Sequence, residues 1–237
     1  MMANEGVRLA KRVAALVPCS RAEAERYIAG GWVSVDGAVV EDPATRVTED
    51  QDVALLPGAT AFEQVPVTIL LHKPAGLDAG VEKAIECLTA DRLEGRERFL
   101  KRHLSRLALT IPLETNASGL VVYSQNPGVA RKLVEEANRF EQEYVVEVSG
   151  AMPEGGLSLL NHGLTFNGKA IPPLKVSWQS EQRLRFAGKG IRPGQVEHMC
   201  RAVGLEVVTM KRLRLGRVSL AGLPEGRWRY LGDYERF

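Results

Sequence analysis

Apolar residues Val7, Leu9, Val13, Leu16 and Val17 recur near helical spacing, and Pro18 ends the run. Ser20 follows as an N-cap, with Glu23 three residues later to complete a capping box. The pattern predicts a second helix over about Arg21 to Ala29, stopped by Gly30-Gly31. Trp32 to Val35 alternates, Asp36-Gly37 is a hairpin turn signal, and Ala38 to Val40 returns. Val53 to Leu56 is a further short strand, closed by Pro57-Gly58. Helix–turn–helix followed by a small β unit accounts for residues 1–60.

Ala59 to Val65 reads as a linker, so the expected boundaries are 1–60, a linker at 61–66, and 67–237. A buried strand starts at Val67 and runs through Ile69, Leu70 and Leu71 to His72-Lys73-Pro74-Ala75-Gly76. Ile85 to Leu88 fits a short helix and Gly119 to Tyr123 an apolar strand. Asn126-Pro127-Gly128 turns the chain into a helix over about Val129 to Asn138. Tyr144 to Val148 alternates as a strand, and Pro172-Pro173 marks a loop or strand edge. A helix over Gln195 to Ala202 ends at Gly204, and Leu205 to Arg214 and Trp228 to Leu231 read as strands. The order lacks a regular βαβ rhythm, so the fold class is α+β. We expect a small N-terminal α/β domain followed by a larger mixed, mainly antiparallel β-sheet domain with flanking helices. Trp32, Trp178 and Trp228 are expected in the core or at an interface.

Composition is that of an ordinary folded protein: 237 residues, 45% hydrophobic and 25% charged. Charge alters the picture more. The balance of 31 Lys+Arg against 29 Asp+Glu conceals a segregation, because residues 183–237 hold 12 basic and 5 acidic side chains. Arg8, Lys11, Arg12, Arg21 and Arg26 form a second basic cluster. Arg96, Arg98, Lys101, Arg102 and Arg106, with His103 among them, form a third. Three arginine-rich clusters on a near-neutral chain point to a polyanion. Cys19, Cys87 and Cys200 lack disulfide or zinc spacing, and the four histidines lack metal-ligand spacing. No apolar run is long enough to span a membrane, and Met1 to Lys11 lacks a secretory pattern. A cytoplasmic protein is expected.

Arg8-Leu9, Ser20-Arg21-Ala22-Glu23-Ala24, Ile28, Gly31, Val33, Val35, Gly37, Val40 and Pro43 resemble the S-four RNA-binding domain over Val7 to Gly58. The resemblance implies two short helices presenting Arg8, Lys11, Arg12, Arg21 and Arg26 to phosphates, which position a protein without reading sequence.

The rest of the chain resembles the bacterial ribosomal-RNA pseudouridine synthases of the RsuA type. His72-Lys73-Pro74-Ala75-Gly76 is similar to an N-K-P-x-G strand end, and Ala117 to Val122 to a T-S-G-L-L-L strand. Tyr144 stands at the tyrosine of K-x-Y, and Ala202 to Leu220 with Leu223, Gly226, Trp228 and Arg229 resembles the C-terminal signature. The resemblance implies isomerisation of a uridine taken out of its stack, with an aspartate nucleophile, an arginine partner and no cofactor or metal. The implied partner is structured RNA, ribosomal RNA first, and the implied state a monomer.

Four positions depart from the pattern. The nucleophile's position is Glu114, the arginine before it is Pro112, the arginine that would pair it is Glu197, and the K-x-Y lysine is Gln142. Two outcomes stay open. One is an active synthase with Glu114 as nucleophile, Tyr144 on the base and Arg192 or Lys211 as the cation. The other is an RNA-binding relative that has lost the chemistry. If Glu114 and Glu197 face each other, one of them is expected to be protonated.

Overall fold

The computed structural model describes residues 6–63 and 65–237. Part of the N-terminal reading (Met1 to Glu5) and linker residue Gln64 lie outside the described residues. The chain forms two compact units, one running to Pro66 and taking in Leu100–Ser105, the other made of Val67–Phe99 and Arg106–Phe237.

In the first unit, β1 (Val7–Arg8) leads into α1 (Leu9–Leu16) and α2 (Arg21–Ala29). The capping box is formed: Glu23 N–H donates to Ser20 Oγ at 3.2 Å and Ser20 N–H to Glu23 Oε2 at 2.8 Å. β2 (Val33–Val35), β3 (Ala38–Val40), β4 (Arg46–Val47) and β5 (Val53–Leu55) follow. They make a three-stranded sheet in the order β3-β2-β5 and a separate β1-β4 pair. Leu9, Val13, Ala24, Ile28, Val33 and Val53 meet in one core, so the helical and strand periodicities close on each other. Leu100–Ser105 joins this unit through Lys101 N–H and Arg102 N–H, which donate to the Glu41 carboxylate at 3.2 and 3.5 Å.

The second unit opens with β6 (Thr68–Lys73), α3 (Val81–Ala84), β7 (Ala108–Leu109) and β8 (Ser118–Ser124). α4 (Pro127–Glu135), β9 (Glu141–Gly150) and α5 (Gly156–Asn161) come next. The hairpin of β10 (Thr165–Phe166) and β11 (Lys169–Ala170) precedes β12 (Lys175–Ser180) and β13 (Arg183–Lys189). α6 (Gln195–Ala202), β14 (Leu205–Leu215), β15 (Val218–Ser219) and β16 (Trp228–Tyr230) complete it.

The main sheet runs β12-β13-β9-β14-β8-β6-β16, with β7 on β8 and β15 on β14. Every pairing is antiparallel except β14 with β8. One face packs Leu70, Leu120, Val122, Leu133, Phe140 and Leu215 into a core.

The structure moves some expected elements. The helix placed at Ile85 to Leu88 lies earlier, at Val81–Ala84. The helix of 129–138 starts at Pro127, whose fixed φ suits a first helical position, and stops at Glu135. Trp228 is fully buried and donates to Thr89 O at 2.9 Å, whereas Trp178 on edge strand β12 is 39% exposed. No helix among the described residues is long and apolar enough to cross a membrane.

Candidate functional site

Registers across the centre of the main sheet place four residues in one row. Lys73 of β6 lies opposite Gly119 of β8, Gly119 opposite Arg212 of β14, and Arg212 opposite Tyr144 of β9. Directly opposed residues share a face, so Lys73, Arg212 and Tyr144 point the same way. Gly119, at φ 121°, is where the backbones come closest: a Cβ there would stand 2.3 Å from the Arg212 carbonyl oxygen. Only glycine fits.

Arg212 is fully buried. Its Nε donates to Leu120 O at 2.8 Å, Nη1 to Pro112 O at 2.9 Å, and Nη2 to Ile111 O at 3.0 Å. Lys73, equally buried, donates from Nζ to Pro74 O at 3.0 Å, Leu77 O at 2.7 Å and Thr115 O at 3.1 Å. The two buried cations therefore grip the backbone on both sides of Glu114 and fix the loop that carries it.

The Glu114 carboxylate itself is held elsewhere. Its Oε1 accepts from Gly194 N–H at 2.7 Å, at the start of α6, where the helix dipole favours negative charge. Gly194 sits at φ 78°, the left-handed region. Among the described residues Glu114 makes no ion pair.

Tyr144 is 3% exposed, and its hydroxyl donates to Gln142 Oε1 at 2.8 Å. The same oxygen accepts from Arg212 Nη1 at 3.4 Å, and Gln142 Nε2 donates to Ile191 O at 2.9 Å. Gln142, at the expected lysine, thus ties the tyrosine to the arginine. Burial raises the Tyr144 pKa; the Arg212 charge opposes the shift and Glu114 adds to it.

Three expectations about this site are corrected. Glu197 does not take Glu114 as its partner: it pairs with Arg201 one helical turn on, at 2.7 Å, on the accessible side of α6. Arg192 is exposed, and its recorded hydrogen bonds are made by its backbone: its N–H donates to Gln195 Oε1 at 3.4 Å and its carbonyl accepts from Gln195 N–H at 3.0 Å. Lys211 faces away from Arg212 on the alternating strand, beside Ser118, and its charge helps to lower the His72 pKa after burial.

Burial lowers the Lys73 pKa from 10.5 to about 8. Below pH 8 both folded and unfolded chains hold this proton. Between pH 8 and 10.5 only the unfolded chain holds it, so Lys73's contribution to stability rises with pH across that window. We expect the gap in unfolding free energy between wild type and Lys73→Met to widen from pH 8 to pH 10. Urea titrations that give a flat gap would refute this.

The first unit carries a cleft of about 520 Å³ lined by Arg8, Lys11, Arg21 and Arg46 together with Gly6, Val7 and Ala14. Arg46 lies directly opposite Arg8 across the β1–β4 pair and donates to Gly6 O at 3.0 Å. Arg21 also pairs with Glu25 at 3.1 Å. Arg26 is exposed on the last turn of α2 but does not line the cleft, and Arg12 is half-buried with Nε enclosed.

The third basic run divides between the units: Lys101 and Arg102 are exposed in the first, Arg96, Arg98 and Arg106 in the second. Much of the C-terminal positive charge is absorbed structurally. Arg185 and Arg214 both bind Glu143, at 2.7 and 2.9 Å, and Arg214 also binds Glu141. Arg201 holds Glu197, Arg229 holds Glu235, and Arg212 is buried. The expected basic face at 183–237 is therefore smaller than its charge count.

The S4 domain family matches residues 7–53. The Escherichia coli K12 dual-specificity RNA pseudouridine synthase RluF is 28% identical over 240 residues, covering 99% of this chain and 79% of that protein. The ribosomal large subunit pseudouridine synthase B of Bacillus subtilis is 28% identical over 236 residues, covering 96% and 93%. The chain is thus similar over nearly its whole length to RNA pseudouridine synthases, and it carries an S4 domain. A crystal structure of a pseudouridylate synthase shares the fold, with a TM-score of 0.60 and 19% identity over 96% of this chain and 97% of that one.

The S4 match spans both helices of the first unit and all four basic residues of the cleft. The sequence reading passed over Arg46 and Arg212. Arg46 had no helical neighbours to mark it. Arg212 stands beside Lys211 and close to Arg214, and only the register of β14 on β8 shows which of them turns inward.

Proposed function

We propose that this chain binds structured RNA, ribosomal RNA first, and that its Glu114 site has lost efficient isomerisation of uridine. Residues 1–60 act as the RNA-binding module and 67–237 as the body that engages the uridine, in a cytoplasmic monomer without a cofactor. The observation that carries the reading is the partnering of Glu114. A nucleophilic carboxylate needs a fixed position and a cation that holds it ionised and aimed. Here the Arg212 guanidinium is committed to backbone carbonyls and Gln142, and among the described residues the Glu114 carboxylate accepts only from Gly194 N–H. The extra methylene of glutamate shifts the reacting oxygen further from where an aspartate would put it.

A second reading, an active synthase, is favoured by one observation: Glu114 remains a carboxylate within electrostatic reach of Lys73 and Tyr144. One experiment separates the two. Full-length chain is incubated with ribosomal RNA transcripts, and pseudouridine is mapped by carbodiimide labelling and primer extension, with RluF as reference. We expect initial rates at least about a hundredfold below the reference and no change with Glu114→Gln. Pseudouridine formed at a comparable rate and abolished by Glu114→Gln would establish the active reading instead.

A further inference from the structure

The turn at Asn167-Gly168, with φ of 51° and 73°, folds Thr165 to Ala170 into the β10–β11 hairpin. This hairpin is seated on α6. His198 Nε2 donates to Thr165 O at 2.8 Å, and the Phe166 ring lies 5.4 Å from the His198 imidazole, tilted by 56°. The tip of the ring reaches Gly194, where a Cβ would stand 3.7 Å from Phe166 Cζ. Gly194 is the residue whose N–H holds Glu114. A phenyl ring is thus fixed beside the candidate uridine site, half-buried, with exposed Lys169 opposite it across the hairpin.

We propose that Phe166 is a stacking platform for the unpaired RNA base next to the one presented to Glu114, with Lys169 on the adjoining phosphate. The physical need is clear. Extruding a uridine breaks the stack on both of its neighbours, and an aromatic face restores that contact whatever the base. Cationic and aromatic side chains on one short hairpin serve both halves of a nucleotide. His198 acts as the positioning residue, since it holds the hairpin by the Thr165 carbonyl and stands against the tilted ring.

This inference rests on the RNA-binding reading above, and the test separates the two. Fluorescence anisotropy of the full-length chain is measured against an oligouridylate about 12 nucleotides long and against a strand of equal length lacking bases. Phe166→Ala is expected to weaken oligouridylate binding about tenfold, to leave the abasic strand unchanged, and to be rescued by Phe166→Trp. Equal losses on both strands would mean a structural role only and overturn the inference, as would unchanged oligouridylate binding. Failure of the wild type to bind either strand while it binds a ribosomal RNA fragment would overturn the inference alone, and failure on the fragment as well would overturn the RNA-binding reading itself.

Discussion

Arg212→Leu is expected to destabilise the second unit by about 3–5 kcal/mol, the range for removing one partner from a buried ionic or hydrogen-bonded network. The substitution leaves the carbonyls of Ile111, Pro112 and Leu120 without their donor, and Ile111 and Leu120 are buried. Each such orphaned group costs about 1–3 kcal/mol. Arg212→Lys should recover only part of the loss, because one ammonium cannot reproduce a fork that spans three carbonyls and Gln142. Urea unfolding followed by the fluorescence of Trp228, buried in the same unit, measures the effect. A loss below about 1 kcal/mol would show that water replaces the guanidinium. The same variant should loosen the loop bearing Glu114 on its Pro112 side, leaving it held by Lys73 and Gly76 N–H at Thr115 and by Gly194 N–H at the carboxylate.

Such a network is hard to read from sequence, and the reason is physical. Local signals served well where structure is local. The capping box, the Asp36-Gly37 turn and the apolar spacing of the first unit produced α2 with the expected bounds and β2, β3 and β5 within a residue or two, whereas β1 and β4, two residues each, were not anticipated. The helix at Gln195–Ala202 also matches, marked off by glycine at each end. Strands β12 and β13 were not anticipated. β12 is an exposed edge with a polar surface, and its place comes only from pairing with β13 and through it with β9.

The Asn167-Gly168 turn was a hairpin signal present in the sequence and passed over. Its strands are two residues each, too short to show alternation. At the site, Glu114 and Tyr144 were legible through resemblance. Their partners were not: the side chain that meets Glu197 follows from helix phase, and the choice among Lys211, Arg212 and Arg214 from sheet register.

Replacing Arg8, Lys11, Arg21 and Arg46 together by alanine should lower affinity for a ribosomal RNA fragment about a hundred- to a thousandfold at low salt. Four phosphate contacts account for this at roughly 0.7–0.9 each in the slope of log affinity against log salt. The variant's slope should therefore be shallower by about 3, and its affinity should converge on the wild type's as salt rises. The fold should survive. The four side chains are exposed, and the ion pair lost from Arg21 to Glu25 is a surface pair worth a few tenths of a kcal/mol. The β1–β4 pair supplies the physical reason to expect an anion here. Arg8 and Arg46 stand directly opposite one another, and like charges so placed cost stability unless a counter-charge lies between them. A phosphate backbone seated in the cleft provides that charge. Filter-binding titrations across a salt series decide the matter: an unchanged slope in the quadruple variant would take the cleft off the RNA path and leave the positive charge of the other basic runs to account for binding.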